Sequence, residues 1–174
     1  MTQIATGSKL PTAVRLGYIP YTPEHENICS IGRPAELDLS KILPGKKVVI
    51  VAAPGAFTPT CTERHIPPYV ADYEKLKSRG IDDIFIATTD NPFVQAAWGK
   101  ALGNKGQLKF VSDPKGAFSA QLGLADLKGD DYVPARTFRY ALVVDNGTVK
   151  YVGVEKNGSL EHSTLDAVLK FLKA

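Results

Sequence analysis

Two cysteines, Cys29 and Cys61, are the residues of this chain with the most chemistry open to them. Two cannot form a disulfide framework for 174 residues, nor a four-cysteine zinc site. Residues 1–10 lack a basic segment followed by an apolar one, so no secretory leader is expected and the thiols are expected to be reduced. In that setting a cysteine is either an inert core residue or a reactive one. Cys61 follows an apolar run and falls at the first turn of an expected helix. Unpaired amide N–H groups and the helix dipole at such a place favour a thiolate over a thiol. Taken alone, a free cysteine is more often a small buried hydrophobe, so both readings stand at this point. Thr58 places a hydroxyl three residues before Cys61, and Pro54 opens the intervening loop. His25, His65 and His162 are too dispersed to show a metal-ligand spacing, so no metal is expected. No glycine-rich phosphate-binding pattern occurs, so no nucleotide cofactor is expected either.

The elements that must position these residues are legible as apolar runs. Residues 1–45 read as irregular, with a short strand over 14–19. Residues 47–53 form a continuous apolar run, the pattern of a strand buried on both faces. After Cys61, the residues Ile66, Tyr69, Val70, Tyr73 and Leu76 recur at helical spacing, with a break expected at Pro67 and Pro68 and an end at Gly80. A second strand is expected over 84–88. Asn91-Pro92 then starts a helix that carries Phe93, Val94, Ala97 and Trp98 and ends at Gly103. A short strand over 108–111 and a short helix after Asp113-Pro114 come next. The runs 139–144 and 149–154 flank Asn146-Gly147, a strong hairpin signal. A C-terminal helix carries Leu165, Val168, Leu169 and Leu172. This order predicts one α/β domain over 1–174 with a thioredoxin-like fold: a central mixed β-sheet flanked by helices, preceded by an N-terminal extension that carries Cys29.

Composition agrees with a globular chain: 44% hydrophobic and 22% charged residues, with 21 basic against 18 acidic side chains. The net charge of +3 is mild and its basic residues are scattered, which argues against a nucleic-acid partner. No run of about 18 apolar residues occurs, so no transmembrane helix is expected. The last residues are not a peroxisomal Ser-Lys-Leu address. Together with the missing leader, this gives a cytoplasmic expectation.

The residues around Cys61 sharpen the reading. Pro54-x-x-x-Thr58-x-x-Cys61 is the active-site pattern of the peroxiredoxins, and the chain resembles that family. With Thr62-Glu63-Arg64-His65-Ile66-Pro67 included, it looks like the type-5 subfamily, and closest to its fungal alkyl hydroperoxide reductase branch. The resemblance continues through Asn91-Pro92-Phe93, Ala97-Trp98-Gly99-Lys100, Ser112-Asp113-Pro114 and Arg139-Tyr140-Ala141-Leu142-Val143-Val144-Asp145, and covers nearly the whole chain in order. It implies a peroxidase for hydrogen peroxide and alkyl hydroperoxides. Such chemistry needs a thiolate, a cation beside it and hydrogen-bond donors aimed at both peroxide oxygens. Cys61 would be the nucleophile, and the Thr58 hydroxyl would both accept from and donate to the peroxide. Pro54, which has no N–H, would shield the thiolate from water. Arg139 would be the cation, because it begins the strand matching the family's arginine-bearing strand; Arg136 is its competitor. His65 invites a general-base role, but a satisfied polar residue is the simpler reading.

Oxidised Cys61 would be a sulfenic acid, to be condensed with a thiol before it over-oxidises. The resemblance implies that Cys29 is the resolving residue, that the disulfide joins two subunits of a homodimer, and that thioredoxin reduces it. No cysteine follows Cys61, so the late resolving cysteine of other type-5 relatives is absent. Two alternatives on the same fold are a non-catalytic redox sensor and a thiol-disulfide oxidoreductase. The second would want Cys-x-x-Cys, and position 64 is Arg64.

Overall fold

The computed structural model describes residues 2–129 and 135–173. Its centre is a seven-stranded mixed sheet in the order β2 (Ala35–Leu37), β1 (Leu16–Tyr18), β5 (Lys109–Ser112), β4 (Asp83–Thr88), β3 (Lys47–Ala52), β8 (Tyr140–Asp145) and β9 (Thr148–Val154). The three central strands β3 (Lys47–Ala52), β4 (Asp83–Thr88) and β5 (Lys109–Ser112) are parallel. Strand β8 (Tyr140–Asp145) runs antiparallel to β3, and β9 (Thr148–Val154) antiparallel to β8. The hairpin turns at Asn146 and Gly147, both left-handed with φ of 47° and 72°, the geometry for which Asn-Gly is favoured.

Strand alternation divides the core. Val49, Val51, Ile84, Ile86, Ala141 and Val143 face one side, against Tyr69, Leu76, Trp98, Leu165 and Val168. Val48, Ile50, Phe85, Ala87, Leu142 and Val144 face the other, against Phe118 and Leu122. The apolar runs are therefore continuous because both faces are covered. Helices α2 (Pro67–Ala71), α3 (Tyr73–Lys77), α4 (Pro92–Ala101) and α6 (Leu165–Lys173) supply the first layer, and α5 (Ala117–Gln121) the second. Asn91 caps α4 by accepting the Phe93 and Val94 N–H groups, each at 3.0 Å. Gly99 lets α4 approach β5: a Cβ there would lie 2.8 Å from the Phe110 ring.

The N-terminal region is more ordered than its composition suggested. Strands β1 (Leu16–Tyr18) and β2 (Ala35–Leu37) pair with each other, β1 pairs with β5, and α1 spans Leu39–Ile42. Elements this short show no periodicity in sequence, which is why the region read as irregular. Cys29 lies in the connection between β1 and β2. Two further short strands, β6 (Ala125–Asp126) and β7 (Arg136–Thr137), form a separate pair.

Candidate functional site

The loop after β3 is held at several points. The Thr137 hydroxyl donates to the Ala53 carbonyl at 2.9 Å. Asp90 accepts from the Ala56 N–H at 2.8 Å and from the Thr88 hydroxyl at 2.7 Å. The Thr58 hydroxyl donates to the Gly55 carbonyl at 2.8 Å, so its lone pairs remain as acceptors. Phe57 takes a left-handed φ of 57°, a conformation uncommon outside glycine and sometimes held at functional loops.

Helical backbone begins at Pro59, and the Thr62 N–H donates to the Thr58 carbonyl at 2.9 Å. Cys61 therefore lies in a first helical turn, as expected, with its thiol free and 1% of the residue exposed. The break expected at Pro67 and Pro68 is present: a π-turn over Cys61–His65, which the periodicity did not indicate, gives way to the short helices α2 and α3. The Ile66 N–H reaches back five residues to the Cys61 carbonyl at 3.1 Å. Pro67 and Pro68 offer no N–H to continue an ordinary ladder, which accounts for the break there. Trp98, the lone tryptophan, donates its Nε1–H to the Thr62 hydroxyl at 3.1 Å and ties this turn to α4.

His65, at the end of the turn, is buried and bonded on both ring nitrogens. Arg139 Nη1 donates to its Nδ1 at 3.0 Å. Its Nε2 lies 3.0 Å from the Ser163 carbonyl and 3.1 Å from the Ser163 hydroxyl. Burial, with the Arg139 charge adding to it, lowers the His65 pKa from 6.5 to about 4 against the opposing pull of the Ser163 carbonyl and Glu155. His65 is thus the satisfied polar residue expected from sequence. Arg139 precedes β8 directly, and its carbonyl accepts the Glu155 N–H at 3.0 Å. Arg139, Arg136 and Pro54 line one cavity of about 410 Å³, whose lining includes neither Thr58 nor Cys61. Arg139 bonds to the last residue of the Cys61 turn. Arg136 sits in β7 opposite Asp126.

Cys29 is apart from this arrangement. It is exposed with its thiol free, and its N–H donates to the Asn27 side chain at 2.8 Å. Among the described residues no group of three or more His, Cys, Asp or Glu side chains is placed to hold a metal. The sequence reading missed Asp90, Glu155 and Ser163 as parts of the site. In sequence Asp90 is only the residue before the Asn91 cap of α4.

The arrangement can present a buried thiol at the start of a helical turn whose last residue, His65, is bonded to an arginine. The redoxin family matches residues 5–169, and the chain belongs to it as a peroxiredoxin. The chain is 47% identical over 168 residues to the "Putative peroxisomal peroxiredoxin" of Lipomyces kononenkoae, covering 94% of this chain and 98% of that protein. It is 40% identical over 171 residues to peroxiredoxin Pen c 3 of Penicillium citrinum, covering 97% and 99%. Reduced Prx3 of Vibrio vulnificus in complex with hydrogen peroxide superposes with a TM-score of 0.85 at 34% identity, over 98% of this chain and 99% of that one. The fold is thioredoxin-like, as expected. The cytoplasmic expectation is corrected by the Lipomyces relative, which is named as peroxisomal. Short address signals read by receptors leave no apolar segment, so a reading of apolar segments does not separate the two compartments.

Proposed function

We propose that the chain is a two-cysteine, type-5 peroxiredoxin of the fungal alkyl hydroperoxide reductase branch, folded as one domain over 1–174 and located in the peroxisome. Cys61 attacks one oxygen of hydrogen peroxide or an alkyl hydroperoxide as a thiolate. The O–O bond breaks, the other oxygen leaves as water or alcohol after taking a proton, and Cys61 becomes a sulfenic acid. Thr58 orients the peroxide, Pro54 excludes water, and Arg139 stabilises the thiolate and the charge on the departing oxygen. Cys29 of the partner subunit then displaces water from the sulfenic acid to give an intersubunit disulfide. Thioredoxin reduces that bridge to two thiols.

The observation that carries this reading is the buried Cys61 on a turn whose last residue is bonded to Arg139. Cys29 is exposed while Cys61 is buried, so a bridge needs at least one segment to move until the Cα atoms lie within about 7 Å. A symmetric pair exchanging Cys29 segments gives two bridges per dimer. Peroxide treatment is expected to yield a covalent dimer on a non-reducing gel, returned to monomer by thioredoxin. An oxidised protein that stays monomeric and yields an intrachain Cys29–Cys61 peptide overturns the intersubunit claim.

A further inference from the structure

Resting on the role given above to Arg139, we propose that His65, held as its Nε2–H tautomer by Ser163 and Glu155, is the residue that positions the Arg139 guanidinium at the Cys61 turn. The tautomer follows from the partners. A carbonyl only accepts, so the Ser163 oxygen at 3.0 Å requires a proton on Nε2. A guanidinium only donates, so Arg139 Nη1 at 3.0 Å requires a bare Nδ1. The ring is therefore neutral, and its lone pair points at the arginine.

What fixes the ring is fixed in turn. Glu155 Oε1 accepts the N–H groups of Glu161 at 2.8 Å, His162 at 2.7 Å and Ser163 at 2.6 Å, and the Ser163 hydroxyl at 2.8 Å. Its Oε2 accepts the Ser159 hydroxyl at 2.8 Å. The segment between β9 and α6 is thereby folded around one carboxylate. Burial alone would raise the Glu155 pKa, but these bonds, led by the Ser163 N–H, outweigh it and hold the value at about 2. Because the Ser163 hydroxyl donates its proton to Glu155, its lone pairs are left to accept from His65 Nε2 at 3.1 Å. Tyr69 closes the same pocket, donating to the Ser163 carbonyl at 2.8 Å with its ring edge-on to His65. The Tyr151 hydroxyl donates to the neighbouring His162 carbonyl. Glu155 also donates its own N–H to the Arg139 carbonyl at 3.0 Å. One residue thus sets the arginine's backbone directly, and its side chain through Ser163 and His65.

Among the described residues, the charged and titratable groups at the imidazole include Arg139, bonded to Nδ1, Tyr69, edge-on to the ring, and Glu155, which acts through Ser163. A base is not needed from His65, because its free lone pair is spent on the guanidinium. A neutral imidazole carries an acceptor on one side and a donor on the other, so it spans from the arginine to the carbonyl without carrying charge itself.

The test compares His65→Leu, His65→Asn and Arg139→Gln by stopped-flow reaction of the reduced protein with hydrogen peroxide, and by the pH profile of Cys61 alkylation. A misplaced charge-stabilising group typically costs about 10–100-fold in rate, so His65→Leu is expected to slow oxidation by that factor and to move the alkylation profile to higher pH. His65→Asn, whose Oδ1 replaces Nδ1 as acceptor, is expected to recover most of the rate and the profile. A slow Arg139→Gln beside a wild-type His65→Leu overturns the inference, and so does an Asn variant as slow as the Leu variant. An Arg139→Gln that reacts at the wild-type rate instead removes the role proposed for the arginine, and the inference with it. Should the Leu variant not fold, nitrogen chemical shifts of the wild-type imidazole decide the matter. A protonated Nε2 with a bare Nδ1 at neutral pH supports the proposal, and an imidazolium or the opposite tautomer overturns it.

Discussion

Between Leu16 and Leu37, around Cys29, no residue is buried, whereas Cys61 is enclosed by Ile66, Tyr69, Trp98 and the inner face of the sheet. The Cys29 connection hangs on polar contacts made at its surface: Tyr21 to Glu26 at 2.7 Å, the Ser30 hydroxyl to the Glu24 carbonyl at 3.2 Å, and Lys100 to the carbonyls of Asn27 and Ser30. The Cys61 turn is instead tied to three separate parts of the core, through Trp98, through Arg139 and through Ser163. Segments with few buried apolar contacts open at low free energy, and densely buried ones open only with much of the fold. The difference suits the proposed division of labour, in which Cys61 needs a fixed electrostatic setting and Cys29 needs reach.

The largest effect that would break this comparison is a swap of roles between the cysteines. Cys61→Ser is nearly isosteric and is expected to abolish peroxide consumption while leaving the melting temperature close to wild type. Cys29→Ser is expected to react once with peroxide at the wild-type rate, then to fail to recycle with thioredoxin. Turnover surviving in the first variant, or a slowed first reaction in the second, would show that the chemistry is distributed differently.

A smaller effect sharpens the same contrast through pH. The His65 pKa falls from 6.5 to about 4 on folding because the ring is buried beside Arg139. Between those values the unfolded chain binds a proton that the folded chain does not, so stability rises with pH across this window. The full contribution is present above about pH 6.5 and is lost as pH falls to about 4, a change on the order of 3 kcal/mol. The Glu155 contribution is lost lower, as pH falls from about 4.5 to about 2. Urea unfolding at several pH values is expected to show a flatter dependence between pH 4 and 6.5 for His65→Asn than for wild type. Equal slopes for the two proteins would remove His65 as the origin.

These contrasts were unevenly legible in the sequence. Strands β3 and β4 announce themselves as unbroken apolar runs, α4 by its Asn91-Pro92 start, and the β8–β9 hairpin by Asn146-Gly147. Pro54, Thr58 and Cys61 were readable because a single loop and turn hold them at fixed spacing. The break at Pro67 and Pro68 is legible after Cys61, but the π-turn before it is not, because period alone does not distinguish an α-turn from a π-turn. Glu155 and Ser163 carried no signal at all. They are ordinary polar residues in sequence, and Ser163 meets His65 across 98 positions of chain, a contact that only the packed sheet and α6 create. The same limit hides Lys100, whose bonds to the Cys29 segment cross 70 or more positions of chain.

That tether supplies the smallest and most local expectation. Lys100, in the last turn of α4, donates to the Asn27 carbonyl at 3.2 Å and to the Ser30 carbonyl, bracketing Cys29 on both sides. Lys105 adds a looser ion pair with Glu26 at 3.8 Å. A hydrogen bond from a charged donor contributes roughly 1.5–3 kcal/mol where it is shielded, and solvent around this exposed segment reduces that toward about 1 kcal/mol. Lys100→Met keeps much of the aliphatic stem and deletes the donor. Faster amide hydrogen exchange is expected at Cys29 and Ser30, whose N–H groups bond to Asn27 at 2.8 and 2.9 Å, by roughly fivefold for about 1 kcal/mol of lost local stability. Amides of β3 and of the Cys61 turn are expected to exchange as in wild type, because the core that holds them is untouched. Unchanged exchange at Cys29 and Ser30 would mean that the segment is held by its own Asn27 and Glu24 contacts, and that Lys100 only rests on it. Faster exchange reaching the Cys61 turn would instead mean that the two regions open together, and the contrast between them would fail at its base.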